Sequence, residues 1–292
     1  MAWMARLFLD EASRLRGAWR GVIALLLCGF FGALLRFPAS VLQMLFIRDA
    51  SSFDARLGLA AACMGTLLAT WICCSIEGVP FTSVGFVLNR RWLRECALGT
   101  LGGLALILLM ALALRLVGGV HWMHVAGASF KGLLLGLPLF LLVALHEEAM
   151  FRGYAFQRMV GDLGPVATQG FLAVLFAVAH WGNPGMSGAM RVWASLNIGL
   201  AAILLGLAYL KTRSLALPIG IHLGWNWAQG HLLGFGVSGI NTTGWWTPRL
   251  GAKPDWITGG SFGLEGSVFC TLVCALAILG LLLWKPRPAA QP

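Results

Sequence analysis

The sequence predicts an all-α, polytopic membrane protein with about eight transmembrane helices and its reactive side chains inside the helix bundle. Three observations predict it. Of 292 residues, 59% are hydrophobic and 11% charged, against about 45–50% and about 25% in ordinary soluble domains. Runs of roughly 20 apolar residues, long enough to span a hydrocarbon core of about 30 Å as a helix, recur along the chain. Ionisable residues such as Glu147, Glu148, His180 and His222 sit inside these runs. There an ionisable group costs about 2.5–3.5 kcal/mol or more, so it faces a bundle interior or a water-filled cavity.

The eight runs cover residues 20–37, 56–76, 93–117, 130–160, 165–182, 192–211, 214–234 and 266–284. The first follows a basic stretch and resembles a signal peptide, but no small-residue cleavage site follows Phe37 and Pro38, so it reads as a retained helix. A polar connection from Glu77 to Trp92 separates the second run from the third. The fourth and fifth are joined by Gly161-Asp162-Leu163-Gly164-Pro165, whose glycines and proline end one helix and begin the next. The sixth and seventh turn near Thr212 to Ser214. The stretch from Gly234 to Gly263, with Trp245, Trp246, Pro248 and Pro254, is expected to be an ordered or interfacial connector outside the membrane. Residues 1–292 thus form a single multi-pass domain without a soluble domain or an internal repeat. Glycines inside the runs (Gly99, Gly102 and Gly103; Gly132 and Gly136; Gly199 and Gly206) are expected to let helix backbones approach closely.

The formal charge of +10 does not point to nucleic acid, because the basic residues cluster at the ends of runs. Cytoplasmic termini place thirteen of the 21 Lys and Arg on that side: Arg6, Arg14, Arg16, Arg20, Arg90, Arg91, Arg94, Arg152, Arg158, Lys211, Arg213, Lys285 and Arg287. This is the asymmetry of the positive-inside rule. Trp19, Trp71, Trp92, Trp181, Trp193 and Trp284 lie near helix ends, where tryptophan anchors at the interface. The seven cysteines have no zinc-site spacing and read as core packing without a disulfide framework.

Three motifs carry the chemistry. Glu147 lies 14 residues before Gly161 and His180 lies 15 after Pro165, so at about 1.5 Å per residue both stand about 21–22 Å from the turn. His222 and Asn226 lie about 12–18 Å beyond the next turn. Glu148 and Arg152, at i and i+4 with the acid first, read as a structural ion pair. Glu147 points about 100° away, which assigns it to chemistry. His222 and Asn226 present two hydrogen-bond donors on one helix face, as stabilising an oxyanion requires. Phe176 sits one turn from His180 and shapes the pocket around its ring. A carboxylate and an imidazole sharing a water make a general base, and no Ser or Cys occupies a nucleophile elbow. His146 reads as structural, His121, His124 and His231 as loop or helix-end residues, and Asn197 as a supporting residue.

These residues resemble the CPBP family of CAAX-protease and bacteriocin-processing intramembrane proteases, which includes the Ras-converting type of CAAX prenyl endopeptidase. The resemblance rests on Glu147-Glu148-Ala149-Met150-Phe151-Arg152, Phe176-Ala177-Val178-Ala179-His180 and His222-Leu223-Gly224-Trp225-Asn226, in that order. It covers about residues 128–233, the expected catalytic core. It implies an eight-helix fold in which Glu147 and His180 activate water while His222 and Asn226 form the oxyanion site. No cofactor is required by that mechanism. Zinc is the open alternative: Glu147, His180 and His222 could supply three ligands and leave a position for water, although Met150 stands where a zincin would have its second histidine. The implied partners are the lipid bilayer and a membrane-associated peptide or protein, of prenylated CAAX or bacteriocin type. Composition and short loops suit a bacterial inner membrane. Two other functions use the same residues: a non-catalytic peptide-binding or bacteriocin-immunity protein, and a transporter that relays protons through buried Glu and His.

Overall fold

The computed structural model describes residues 7–46 and 51–285. Both termini, with Arg6 and Arg287 of the charge argument, lie outside the described residues. The chain is a mostly helical, multi-pass membrane protein. Its main helices are α1 (Gly17–Phe46), α2 (Ser51–Ile76), α3 (Arg90–Leu116), α4 (Phe130–Arg152), α5 (Tyr154–Ala179), α6 (Gly188–Thr212), α7 (Ala216–Trp227) and α8 (Val268–Leu283). Among the described residues, five runs are long and apolar enough to cross a membrane: Gly17–Pro38, Arg56–Ile76, Arg90–Leu116, Phe130–Ala179 and Gly188–Thr212.

Two expectations about the elements need correction. The fold is not purely helical, because β1 (Val120–His124) pairs antiparallel with β2 (Trp246–Leu250), Val120 opposite Leu250 and His124 opposite Trp246. His121 and His124 are therefore strand residues. Nor is 130–160 one helix. α4 stops at Arg152 and α5 starts at Tyr154, because at Gly153 the backbone tightens until a Cβ would lie 2.2 Å from the Ala149 carbonyl oxygen. The expected turn before Pro165 is present as a break inside α5, where Gly164 has φ 80° and ψ 165°.

The described chain divides into two compact units, the first comprising residues up to Val87 with Leu141–Gly170, the second Leu88–Phe140 with the residues from Phe171 onward. In the first, α1 meets α2 at backbone distance, since a Cβ on Gly65 would stand 2.3 Å from the Gly32 nitrogen. α2 ends in a Schellman turn: Gly78, with φ 66°, and Val79 donate to the carbonyls of Ser75 and Cys74, satisfying groups that a helix end leaves unpaired. That turn presents Glu77 to three donors, Arg20 Nη1 (2.5 Å), Tyr154 Oη (2.5 Å) and Arg158 Nε (2.7 Å). Burial pushes the Glu77 carboxyl up, but the hydrogen bonds from Tyr154, Arg158 and Arg20 outweigh it and hold the group below its ordinary value. Asp162 is tied to α1 through Arg16 (2.6 Å) and accepts the backbone N–H of Ala18 in the first turn of that helix (3.0 Å).

In the second unit α3 and α7 lie against each other at backbone contact. A Cβ on Gly99, Gly103, Gly220 or Gly224 would come 2.5, 2.0, 2.1 or 2.0 Å from the carbonyl oxygen of Leu217, Ile221, Cys96 or Thr100. Each helix thus contributes glycines at i and i+4, the small-residue spacing that lets membrane helices pack on van der Waals contact where lipid supplies no hydrophobic drive. Gly102 and Gly199, also expected at such contacts, meet nothing within 4 Å. Beyond the seam, Ile107, Met110, Leu114, Trp225, Leu264 and Cys274 belong to one buried cluster. α7 continues into a π-helical turn, Ala228–Leu232. All seven cysteines are free, six of them buried. Trp71, Trp181 and Trp284 are exposed near helix ends as an interfacial anchor requires, whereas Trp92 is buried.

Two predictions follow from the packing. Gly103→Ala must push α3 from α7 and, as overpacking does, cost about 1–3 kcal/mol, whereas Gly102→Ala gains helix propensity of up to about 1 kcal/mol. Thermal unfolding in detergent checks this, and equal effects at the two positions would contradict the seam. The lowered Glu77 carboxyl contributes stability that is present above its unfolded pKa of about 4.3. That contribution is lost as pH falls through the lower folded value. Between pH 6 and pH 3 the wild type should therefore lose more thermal stability than Glu77→Gln; parallel curves would show that the network contributes nothing.

Candidate active site

In the first unit, α4 presents Glu148 and Arg152 one turn apart. Arg152 Nη1 donates to Glu148 Oε1 at 3.1 Å, with side chains 3% and 0% exposed for Arg152 and Glu148. This is the ion pair expected from the spacing. Two charges taken out of water stabilise only together, because removing one strands the other in low dielectric. Glu147, the next residue around the helix, is half-buried. His146 forms a hydrogen bond through Nδ1 with Thr66 Oγ1 of α2 (2.9 Å), in keeping with its structural reading.

In the second unit, His180 stands one residue beyond the end of α5. Its Nδ1 lies 2.7 Å from the Phe176 carbonyl oxygen, one of the last-turn acceptors that a helix leaves unpaired. A carbonyl only accepts, so Nδ1 carries the proton. The lone pair of the neutral imidazole is therefore on Nε2, the nitrogen left for base chemistry. The Phe176 ring holds the imidazole from the side, with centroids 4.7 Å apart and planes at 60°. One residue thus orients His180 through both its backbone and its ring.

His222 and Asn226 are buried on α7. At about 100° per residue their shared face is centred about 200° around the helix from Gly220 and Gly224. Since those glycines are pressed onto α3, His222 and Asn226 point away from it, and the seam sets their direction. Asn197, expected as a supporting residue, is fully buried and holds the turn before α8. Its Nδ2 donates to the carbonyls of Glu265 (2.7 Å) and Ser267 (2.9 Å), while its Oδ1 accepts from Thr271 Oγ1 (2.6 Å). His231 lies in the π-helical turn against Gly136, where a Cβ would come 2.4 Å from the ring.

The structure therefore pairs Glu148 with Arg152, pairs Phe176 with His180, and puts His222 and Asn226 on one buried face. Glu147 belongs to the first unit, and His180, His222 and Asn226 to the second. Taken singly, neither unit groups three His, Cys, Asp or Glu side chains that could hold a metal ion among the described residues. Sequence reasoning missed Gly220 and Gly224, although their spacing of four was visible, and Glu265, an isolated acid just before the last apolar run.

A helical membrane domain carrying buried Glu, Arg, His and Asn is the class these observations define. Residues 128–228 match the model of a protease family described as Type II CAAX prenyl endopeptidase Rce1-like. That stretch, roughly a third of the chain, is a CAAX-protease-like domain. No curated protein and no solved structure is significantly similar to the chain.

Glu148→Ala and Arg152→Ala should each destabilise the protein by about 3–5 kcal/mol, because each strands a buried charge. Detergent-solubilised yield and unfolding temperature measure the loss. An Arg152→Ala protein of full stability would show that the arginine is not a brace.

Proposed function

We propose that the protein is an intramembrane endopeptidase that hydrolyses a membrane-associated peptide with water activated by Glu147 and His180. One observation supports this most strongly: the family match covers 128–228, the stretch that holds all three motifs in order. In the proposed reaction Glu147 takes a proton from water while His180 Nε2 orients it. The water oxygen attacks the scissile carbonyl carbon, and His222 and Asn226 donate to the resulting oxyanion. The proton held by Glu147 passes to the leaving amine as the C–N bond breaks, giving a carboxylate and a free amino terminus. Preorganised donors of this kind typically account for about 10²–10³-fold in rate each. No step is routed through a metal; if zinc binds, Glu147, His180 and His222 are the ligands we assign to it.

We place the chain in a bacterial inner membrane with both termini cytoplasmic. The break at Gly164 supports counting Phe130–Ala179 as two crossings. With the helical stretch 216–232 and Val268–Leu283 this makes the eight expected. We propose a prenylated CAAX-type or bacteriocin-type peptide as substrate.

The test is incubation of purified protein in detergent with quenched prenylated CAAX peptides and a library of unmodified membrane peptides, with products identified by mass. Glu147→Ala and His180→Ala should each lower turnover by about 10²–10⁴-fold in a folded protein, and Asn226→Ala by about 10²–10³-fold with little change in KM. Turnover like the wild type in either of the first two would sink the assignment. One equivalent of tightly bound zinc in active enzyme, lost in His222→Ala, would replace the metal-free mechanism with a zinc one.

A further inference from the structure

The acid just ahead of α8 accepts four hydrogen bonds. Glu265, 9% exposed, lies in the single 3₁₀ turn Leu264–Gly266. Its Oε1 accepts from Trp225 Nε1 (3.2 Å); its Oε2 accepts from Gln229 Nε2 (3.2 Å), the Ser238 amide (2.5 Å) and Ser238 Oγ (3.0 Å). Among the described residues no Lys, Arg or His forms an ion pair with it. A buried carboxylate is tolerated when its oxygens are saturated by donors. Here four donors do that work without a cation.

Those donors belong to the segments that carry the chemistry. Trp225 lies between His222 and Asn226 on α7, and Gln229 lies in the π-helical turn that follows. Ser238 leads to the other histidine: its carbonyl accepts from Asn183 Nδ2 (2.9 Å), and the Asn183 amide donates to the His180 carbonyl (3.0 Å). An unbroken hydrogen-bonded path therefore runs from the His180 turn through Asn183 and Ser238 to Glu265, and through Trp225 to the helix of His222 and Asn226. Ser238 has φ 48°, a left-handed conformation that non-glycine residues adopt only when their surroundings over-determine it. It is in this conformation that its amide and hydroxyl both bond Oε2. Asn197 fixes the far side by bonding the Glu265 carbonyl (2.7 Å).

We infer that Glu265 is a positioning residue that holds the His180 turn and the His222–Asn226 helix in register. This rests on the hydrolase reading for its kinetic consequence, though not for its structural one. The indole and the Ser238 amide can only donate, and they face opposite oxygens of the carboxylate. In Glu265→Gln, whichever way the amide is turned, its NH₂ meets an obligate donor. Trp225→Phe removes the donor opposite Oε1, so Glu265→Gln in that background can put its NH₂ there and keep its oxygen on Ser238.

The experiment compares wild type, E265Q, W225F and E265Q/W225F in detergent, by peptide-hydrolysis kinetics and by imidazole NMR of ring-labelled histidine assigned with single substitutions. E265Q should lower kcat at least tenfold at unchanged KM and shift the His180 and His222 resonances while leaving His146 in place. The double variant should recover part of both. Wild-type kcat and unmoved His180 and His222 signals in E265Q would overturn the inference, as would a double variant no better than E265Q. If E265Q does not fold, W225F alone decides: a several-fold kcat loss with a displaced His222 signal supports the role, and no change in either refutes it. If the wild type cleaves no peptide, the hydrolase reading fails while the resonance shifts still decide the positioning claim.

Discussion

The contact of α3 with α7 is the constraint on which the second unit depends. Lipid tails are as apolar as leucine, so two membrane helices gain little by hiding hydrophobic surface from each other, and close packing must supply the attraction. Gly99 and Gly103 opposite Gly220 and Gly224 bring the backbones to a distance at which no side chain fits. Such contact leaves α7 one rotation about its axis. That rotation turns His222 and Asn226 away from α3, fixes where Trp225 and Gln229 meet the loop, and so brings their donors to Glu265.

Polar groups are then satisfied in ways that suit their surroundings. Beyond the end of the second apolar run, Glu77 gathers two arginines and a tyrosine. Inside an apolar run, Glu148 is matched by one arginine a turn away. Just ahead of α8, Glu265 takes four neutral donors from three residues. In hydrocarbon an unpaired polar group costs several kcal/mol. Each carboxylate therefore organises the backbone around it, and the acids of this chain serve as architectural fixed points as much as reagents.

What could be read in advance was local. Glu148 and Arg152 at i and i+4, Phe176 one turn from His180, and the break before Pro165 are all set by helical spacing or by backbone chemistry within a few residues, and the structure has each of them. The β ribbon was illegible because Val120 pairs with Leu250 across most of the membrane domain, and no short-range pattern specifies such a partner. The Gly153 break was hidden because a lone glycine inside a helical pattern does not by itself end a helix. Gly102 and Gly103 look alike in sequence, yet one faces open space and the other a carbonyl; only the identity of the neighbouring helix separates them. Glu265 lacked a motif because its partners are scattered from Asn197 to Ser238.

The central claim is that water, held by side chains on membrane helices, attacks the peptide bond without a covalent enzyme intermediate. Hydrolysis in ¹⁸O-labelled water, followed by mass analysis of both product and intact protein during turnover, tests it most directly. The account predicts one heavy oxygen in the new carboxylate of the product after a single cleavage and an unchanged mass for the protein throughout. A protein mass increased by the acyl portion of the substrate would contradict it.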